Sequence, residues 1–260
     1  MTSRKIALID TTGSISQSQL FQVAKAVELQ VQRDFSSVWD ITAEITVQSN
    51  NSPIEADVWP VFIQSELDVK GVYGYHWIDD VTNKPFARIL YRDNYTLTVS
   101  HEILEMLVNP YLTRYQVTDI STDIPGDEKF LLEVVGPVQD VLFGYYINNI
   151  LVSNFMYPSY FDLIAISGKK YDHLGLIKKP KSILSGGYIS FIDNLGQWWQ
   201  AFGTQNKIDL KKLVDGQSVD GNTLGRLLRG AVMIGGSALF IYTFLKFTQR
   251  NELHISKNRR

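Results

Sequence analysis

The chain contains no cysteine in 260 residues. Disulfides, thiol nucleophiles and Cys-type zinc sites are therefore excluded, and any metal must be held by His, Asp or Glu. Histidine is scarce too, with four in all. Charge of one sign is also lacking: 25 Lys and Arg face 27 Asp and Glu, for a net charge of -2. That balance gives no electrostatic case for nucleic acid as a partner. No phosphate-cradling glycine loop is present, since Gly225 and Gly230 lie outside any strand-to-helix context. There is no Gly-x-Ser-x-Gly nucleophile elbow either. The opening run, Met1-Thr-Ser-Arg-Lys-Ile-Ala-Leu-Ile-Asp10, has only four apolar residues before Asp10. It is too short for a signal-peptide core and reads as a first β-strand, so no signal peptide is expected.

What is present supports a packed core. Hydrophobic residues make up 45% and charged residues 20%, in a length that suits one large domain or two small ones. Leu20, Val23, Ala24, Val27 and Val31 recur at helical spacing and predict a helix over 17–33, capped by Ser14 or Ser16. Residues 34–39 read as a loop with two apolar anchors. Ile41, Ala43, Ile45 and Val47 alternate as in a half-buried strand. Strands are also expected at 59–63, where the run is apolar enough to be central, and at 71–77, 86–91 and 130–135. A hairpin is expected around Asn148-Asn149, and a last short strand at 188–191. The aromatic run Tyr157-Pro-Ser-Tyr-Phe161 is expected to pack down. Gln197-Trp-Trp-Gln200 reads as the start of a linker.

The most informative stretch is Tyr95-Thr-Leu-Thr-Val-Ser-His-Glu-Ile-Leu-Glu-Met-Leu-Val-Asn-Pro110. A β-like run leads into a helix expected from Ser100, as N-cap, to Val108, with Pro110 closing it. At about 100° per residue, Ile103, Leu104, Leu107 and Val108 form a buried stripe. His101 and Glu105 lie one turn apart at its edge, with Glu102 further round in the first turn, where the helix dipole favours an anion. His-Glu-x-x-His zinc helices hold the metal at i and i+4 and use the Glu to activate water. Here the fifth position is Glu105, and a carboxylate can also ligate zinc. The alternative is an amphipathic helix whose polar edge begins with His-Glu.

Two further residues are candidate ligands. His76 lies in a Gly-Tyr-His-Trp run, where glycine permits close backbone approach. It reads as a ligand, an oxyanion-stabilising donor or an ordinary half-buried histidine. Glu133 has apolar neighbours and, if buried, needs a partner or a metal. Strand alternation could instead turn it to solvent. Tyr171-Asp-His173 reads as loop structure.

The C-terminal part differs in kind. Residues 230–245 carry no charge. As a helix this run spans about 24 Å, against about 30 Å of bilayer hydrocarbon. With Leu227 and Leu228, and with Arg229 and Lys246 snorkelling, it approaches full length. It reads as a membrane anchor or as a buried oligomerisation helix. Gly235, Gly236 and Ser237 would allow close helix approach.

Several segments together resemble an uncharacterised bacterial and phage family with a zincin-like Ser-His-Glu-x-Leu-Glu helix. They are residues 30–39, Gly74-Tyr-His76, Lys84-Pro-Phe-Ala87, 100–110, Leu132-Glu-Val-Val-Gly-Pro137, Val152-Ser-Asn-Phe155, Tyr171-Asp172 and Gly186-Gly-Tyr188. Together they span about residues 1–190, and their order and spacing carry the resemblance. It implies an α+β fold: a zincin-like mixed sheet with an active-site-type helix, followed here by a C-terminal hydrophobic helix. It further implies His101 and Glu105 as zinc ligands and Glu102 as general base or acid, with Glu133 and then His76 as third ligand. The family tends to carry acidic residues where this chain has Asn109, Gly136 and Gln139, which puts the occupancy and activity of the site in question.

The expected organisation is a zincin-like domain over 1–195, a linker over 196–223, a hydrophobic helix over 224–247 and a basic tail over 248–260. Three functional expectations follow. One is zinc-dependent hydrolysis of a peptide or protein amide. Another is a non-catalytic phage virion or assembly protein, homo-oligomeric or membrane-associated through its C-terminal helix. The last is a tethered binding module that uses an aromatic surface at Trp77, Tyr157 and Tyr160.

Overall fold

A computed structural model describes residues 2–69, 71–118, 128–205 and 207–212. The apolar run at 230–245, the expected hydrophobic helix and the basic tail lie outside these residues. No helix among the described residues is long and apolar enough to cross a membrane.

The architecture is mixed α/β, with two five-stranded sheets and few helices. The first sheet comprises β1 (Thr2–Asp10), β2 (Ile41–Val47), β3 (Val58–Gln64), β4 (Gly74–Ile78) and β5 (Pro85–Leu90), in the order β2-β1-β3-β5-β4. The first four in that order run parallel, and β4 closes the edge antiparallel to β5. Alternation along β1 sorts its side chains between two faces. Ile6 and Leu8 enter the main core, while Ala7 and Ile9 join a smaller cluster with Val58 on the other side. β3 is central, as its apolar run predicts.

Helix α1 (Gln17–Leu29) begins at Ser16, whose hydroxyl accepts from the Gln19 amide while the Gln19 side chain answers the Ser16 N–H. This reciprocal pair satisfies two otherwise free donors. The helix then widens into a π-type segment over Gln30–Phe35 and ends in α2 (Ser36–Trp39), closed by Asp40 in the left-handed region. Residues 34–39 are therefore helical rather than the loop expected, although both anchors pack inward, Phe35 completely.

The second sheet is antiparallel throughout. It contains β6 (Tyr115–Thr118), β7 (Glu128–Leu131), β10 (Tyr188–Ile192), β11 (Trp198–Gly203) and β12 (Ile208–Lys212), in the order β12-β11-β10-β7-β6. The segment expected as linker thus supplies two strands, and β10 is not the last strand. Trp198, Ala201 and Phe202 are buried, which explains why this stretch pairs instead of spanning solvent. The hairpin β8 (Tyr145–Ile147) and β9 (Ile150–Val152) turns at Asn148-Asn149, with φ of 51° and 65°. Asparagine tolerates that left-handed pair better than most residues, and the turn falls where the sequence places it.

The long helix α3 (Tyr95–Val108) packs on β4, β5, β9 and α1. It starts five residues before Ser100. Ser100 is therefore not an N-cap, and Glu102 does not stand in the first turn. Thr96, Thr98 and Val99 favour a strand only weakly, and packing overrides that preference. Residues 97–108 are buried around the whole circumference, so α3 has no solvated polar edge.

Trp77 is 8% and Tyr160 0% exposed, and Tyr157 packs against the main core. The aromatic binding surface expected from these rings is therefore core, and the tethered binding module falls with it.

Candidate metal centre

The centre forms where α3 meets the edge strand β4 and the segment after β7. Because β4 alternates, Tyr75 and Trp77 pack toward the second sheet, with Leu131, Tyr188 and Trp198. His76 then points to the opposite face, toward α3. Gly74 lies on that same face and lets the strand approach. A Cβ there would sit 2.6 Å from Thr98 Cγ2 and 3.3 Å from Glu102 Cγ.

The resulting geometry joins two ring nitrogens to two carboxylates. His76 Nδ1 lies 3.2 Å from Glu102 Oε2. His101 Nε2 lies 3.2 Å from Glu105 Oε1, one helical turn away. That same oxygen accepts from the Val135 and Gly136 N–H groups, each at 3.1 Å. His76, His101, Glu102 and Glu105 are at most 1% exposed, and Glu133 is 2% exposed.

One group among the described residues has the composition and closeness of a cation site. His76, Glu102 and Glu105 each offer a donor atom, all within 4.8 Å of one another. His76 Nε2, Glu102 Oε1 and Glu105 Oε2 are buried and have no hydrogen-bond partner, and neither do the two ring nitrogens of His101, of which Nε2 meets Glu105 as an ion pair only. A buried polar atom left unpaired costs about 1–3 kcal/mol, so five in one place call for an explanation. A divalent cation fits it: His76, Glu102 and Glu105 each bring a nitrogen or oxygen donor to one place, and two of the three are carboxylates.

The electrostatics separate the four titratable groups. Burial holds the Glu102 carboxyl well above the ordinary range, and the Glu105 charge adds to the effect. Burial also works against charge on Glu105, but His101 and the Val135 amide outweigh it and lower its pKa. His101 moves up, because the Glu105 carboxylate overcomes the desolvation that opposes its charge. His76 moves down, chiefly through burial. The side chains by themselves therefore favour charge on the Glu105–His101 pair and disfavour it on Glu102 and His76. Cation binding would displace the Glu102 proton.

The expected ligand pair of His101 and Glu105 does come together, but as an ion pair. Of those two, Glu105 alone belongs to the three-donor group. Glu102, expected as general base or acid, stands among the donors. His76, the second choice for third ligand, is in the group. Glu133, the first choice, is buried just beyond β7. Its Oε2 accepts from the Ser190 N–H at 3.0 Å, and burial, with the charge of Glu105, holds its pKa well up.

Asn109, Gly136 and Gln139, which stand where the resembled family tends to carry acidic residues, have other uses here. Asn109 organises the turn after α3, accepting from the N–H groups of Thr113 and Arg114. Gly136 supplies an N–H to Glu105, and a Cβ there would sit 2.9 Å from the Tyr188 carbonyl. Gln139 donates to the Gly186 carbonyl at 2.8 Å.

Sequence reasoning missed Tyr188 as a neighbour of the centre. Its phenol is pushed well up by burial and by the nearby carboxyls of Glu133, Glu105 and Glu102. The signal was the Gly186-Gly-Tyr188 run: Gly187 sits so close to Pro137 that a Cβ would lie 2.3 Å from its carbonyl oxygen. No family model, curated protein or solved structure matches this chain.

Proposed function

We propose that this chain is a zincin-like domain that holds one divalent cation, zinc by donor type, between His76, Glu102 and Glu105. The ion serves structurally, in a non-catalytic phage or bacterial assembly protein. One observation carries the reading: three convergent donor residues, each with an unpartnered atom, are buried to within 1% exposure. A substrate as large as a peptide has no path to such a group without opening of the seam. A cation there ties β4, α3 and, through Glu105, the segment at 135–136. That tie between three chain segments is what supports a structural role; the three residues would fill three of the four positions around a tetrahedral zinc. Helix α3 follows the five strands of the first sheet in the chain, the order expected from the residue pattern. The C-terminal apolar run fits oligomerisation or membrane attachment of the assembly.

Metal analysis of the purified full chain tests this. About one equivalent of divalent metal is expected, lost in His76→Ala and in Glu102→Ala. A stoichiometry near zero in the wild type would remove the proposal.

A second reading, zinc-dependent amide hydrolysis of a peptide, has one observation in its favour. The Glu102 carboxyl is held well above its ordinary pKa beside the donor cluster, as a proton carrier needs. Zinc, when bound, supplies Lewis acidity and a more acidic water. Glu102 would exchange a proton, Glu105 would stay ionised under His101 and two amides, and His76 would remain neutral. Cleavage of a peptide library by wild type but not by Glu102→Gln would favour this reading. Equal and negligible rates would leave the structural role.

A further inference from the structure

Tyr171 and Asp172 are adjacent in the chain, and each fixes a different loop with an exposed aliphatic tip. The buried Tyr171 hydroxyl donates to the Ile166 carbonyl at 3.2 Å and accepts from the Ile166 N–H at 2.8 Å. The loop it holds exposes Leu163 at 50%, Ile164 at 66% and Ile166 at 49%. The buried Asp172 carboxylate accepts from the Leu176 and Ile177 N–H groups and from the Asn154 amide. That second loop presents Leu174 and Leu176, both more than a third exposed. A Cβ on Gly175 would sit 3.9 Å from Lys170 Cε, which places the two loops side by side. Exposed aliphatics held out on a fixed backbone carry a desolvation cost that a partner surface would remove.

The rim of these loops is basic. Lys169, Lys170, Lys178 and Lys179 are all exposed. Among the described residues, Asp162 pairs with Lys169 at 2.5 Å, Asp34 lies 3.9 Å from His173 at the base of the second loop, and Asp172 is buried. Lys170 stacks over the Tyr157 ring and Lys178 reaches the Gly175 carbonyl, so both follow the loops they flank. Aliphatic tips with exposed lysines next to them in the chain match a surface that is apolar in depth and anionic at its face. The sequence adds a second apolar signal in its uncharged run at 230–245. Two weak signals together give the stable attachment that one alone does not.

We infer that the loops at 163–166 and 174–176 form a docking surface for an anionic lipid bilayer. Leu163, Ile164 and Ile166 enter the interface, and the four lysines face the headgroups. The surface does not depend on the cation reading.

The absence of cysteine makes the test direct. The full chain is prepared as Ile164→Cys and, separately, as Ser52→Cys, each carrying an environment-sensitive fluorophore. Ser52 is exposed and lies beyond the C-terminal end of β2. Trp39, just before the other end of that strand, packs on Phe161 next to the loops. With vesicles of equimolar phosphatidylglycerol and phosphatidylcholine, the label at 164 is expected to shift to the blue and the label at 52 to stay. Replacing the four lysines with Gln should weaken partitioning about fivefold for each lysine changed. The inference is overturned if the label at 164 stays in water while the protein sediments with vesicles, or if both labels shift alike. It is equally overturned if pure phosphatidylcholine gives the same shift.

Discussion

Helix α3 carries two buried polar clusters within two turns, and they are built on opposite terms. Around Ser100 every polar atom is paired. The Ser100 hydroxyl donates to Gln30 Oε1 and accepts from the Ser153 N–H, and the Gln30 amide donates to the Ser153 carbonyl and the Tyr145 hydroxyl. The Ser153 hydroxyl closes the network on the Leu97 carbonyl. Around Glu102 and Glu105, by contrast, five buried donor or acceptor atoms have no hydrogen-bond partner. Ser100, Gln30 and Ser153 are as buried as Glu102 and Glu105, so burial does not separate the two clusters. A satisfied network fastens elements together, whereas an unsatisfied one keeps interaction free energy for something that binds.

The sharpest way to break this contrast is Glu105→Ala. It leaves the His101 charge buried and unpaired and frees the N–H groups of Val135 and Gly136. Losing one member of a buried pair costs about 3–5 kcal/mol. Urea unfolding in the presence of a chelator should show that loss, and a cost below about 1 kcal/mol would mean the pair is not formed.

Gly74→Ala comes next. The added methyl meets Thr98 and Glu102, so β4 must move off α3 at a cost of about 1–3 kcal/mol. Because the movement carries His76 away, cation affinity should fall about 10–100-fold, as for other changes behind a ligand. Titration with zinc under a competing chelator reads it, and unchanged affinity would separate His76 from the site.

Gln30→Ala tests the satisfied cluster. It strands the Ser100 and Ser153 groups at about 1–3 kcal/mol, yet metal stoichiometry should not change. A loss of metal would show that the two clusters act as one.

The smallest expected effect is Glu133→Gln, which sharpens the pH behaviour. The folded-state pKa of Glu133 is raised above its ordinary value of 4.5. Its contribution to stability is then complete below that pH and is lost as the pH rises toward the folded value. The amide cannot ionise and its oxygen can still accept from Ser190. The variant should unfold at a higher temperature than wild type at neutral pH, with the gap closing toward pH 4 (about the ordinary carboxylate value). A constant gap across that range would mean Glu133 ionises normally.

The most legible parts were those fixed by near neighbours in the chain. Ser16 and Gln19 make their cap within one turn, and Asn148-Asn149 makes its turn within four residues. The spacing of His101 and Glu105 placed them in contact once a helix formed. Less was visible at the start of α3, where Thr96 and Thr98 suggested a strand. Thr96 instead bonds the Leu151 carbonyl and Thr98 packs beneath Gly74, and neither contact is local. The strands at 198–203 and 208–212 were hidden for the same reason. Their pairing with β10 and with each other, not their composition, makes them a sheet.

By itself, the sequence determined which residues could chelate at all, since without cysteine only imidazoles and carboxylates remain, and it set His101 and Glu105 one turn apart. Tertiary structure alone decided that His76, 26 positions upstream of Glu102, would meet it. That meeting requires β4 to run antiparallel along the sheet edge and Gly74 to admit the helix. The physical reason is range: helical spacing is written in adjacent residues, whereas the contact between a strand and a distant helix depends on how the whole core packs.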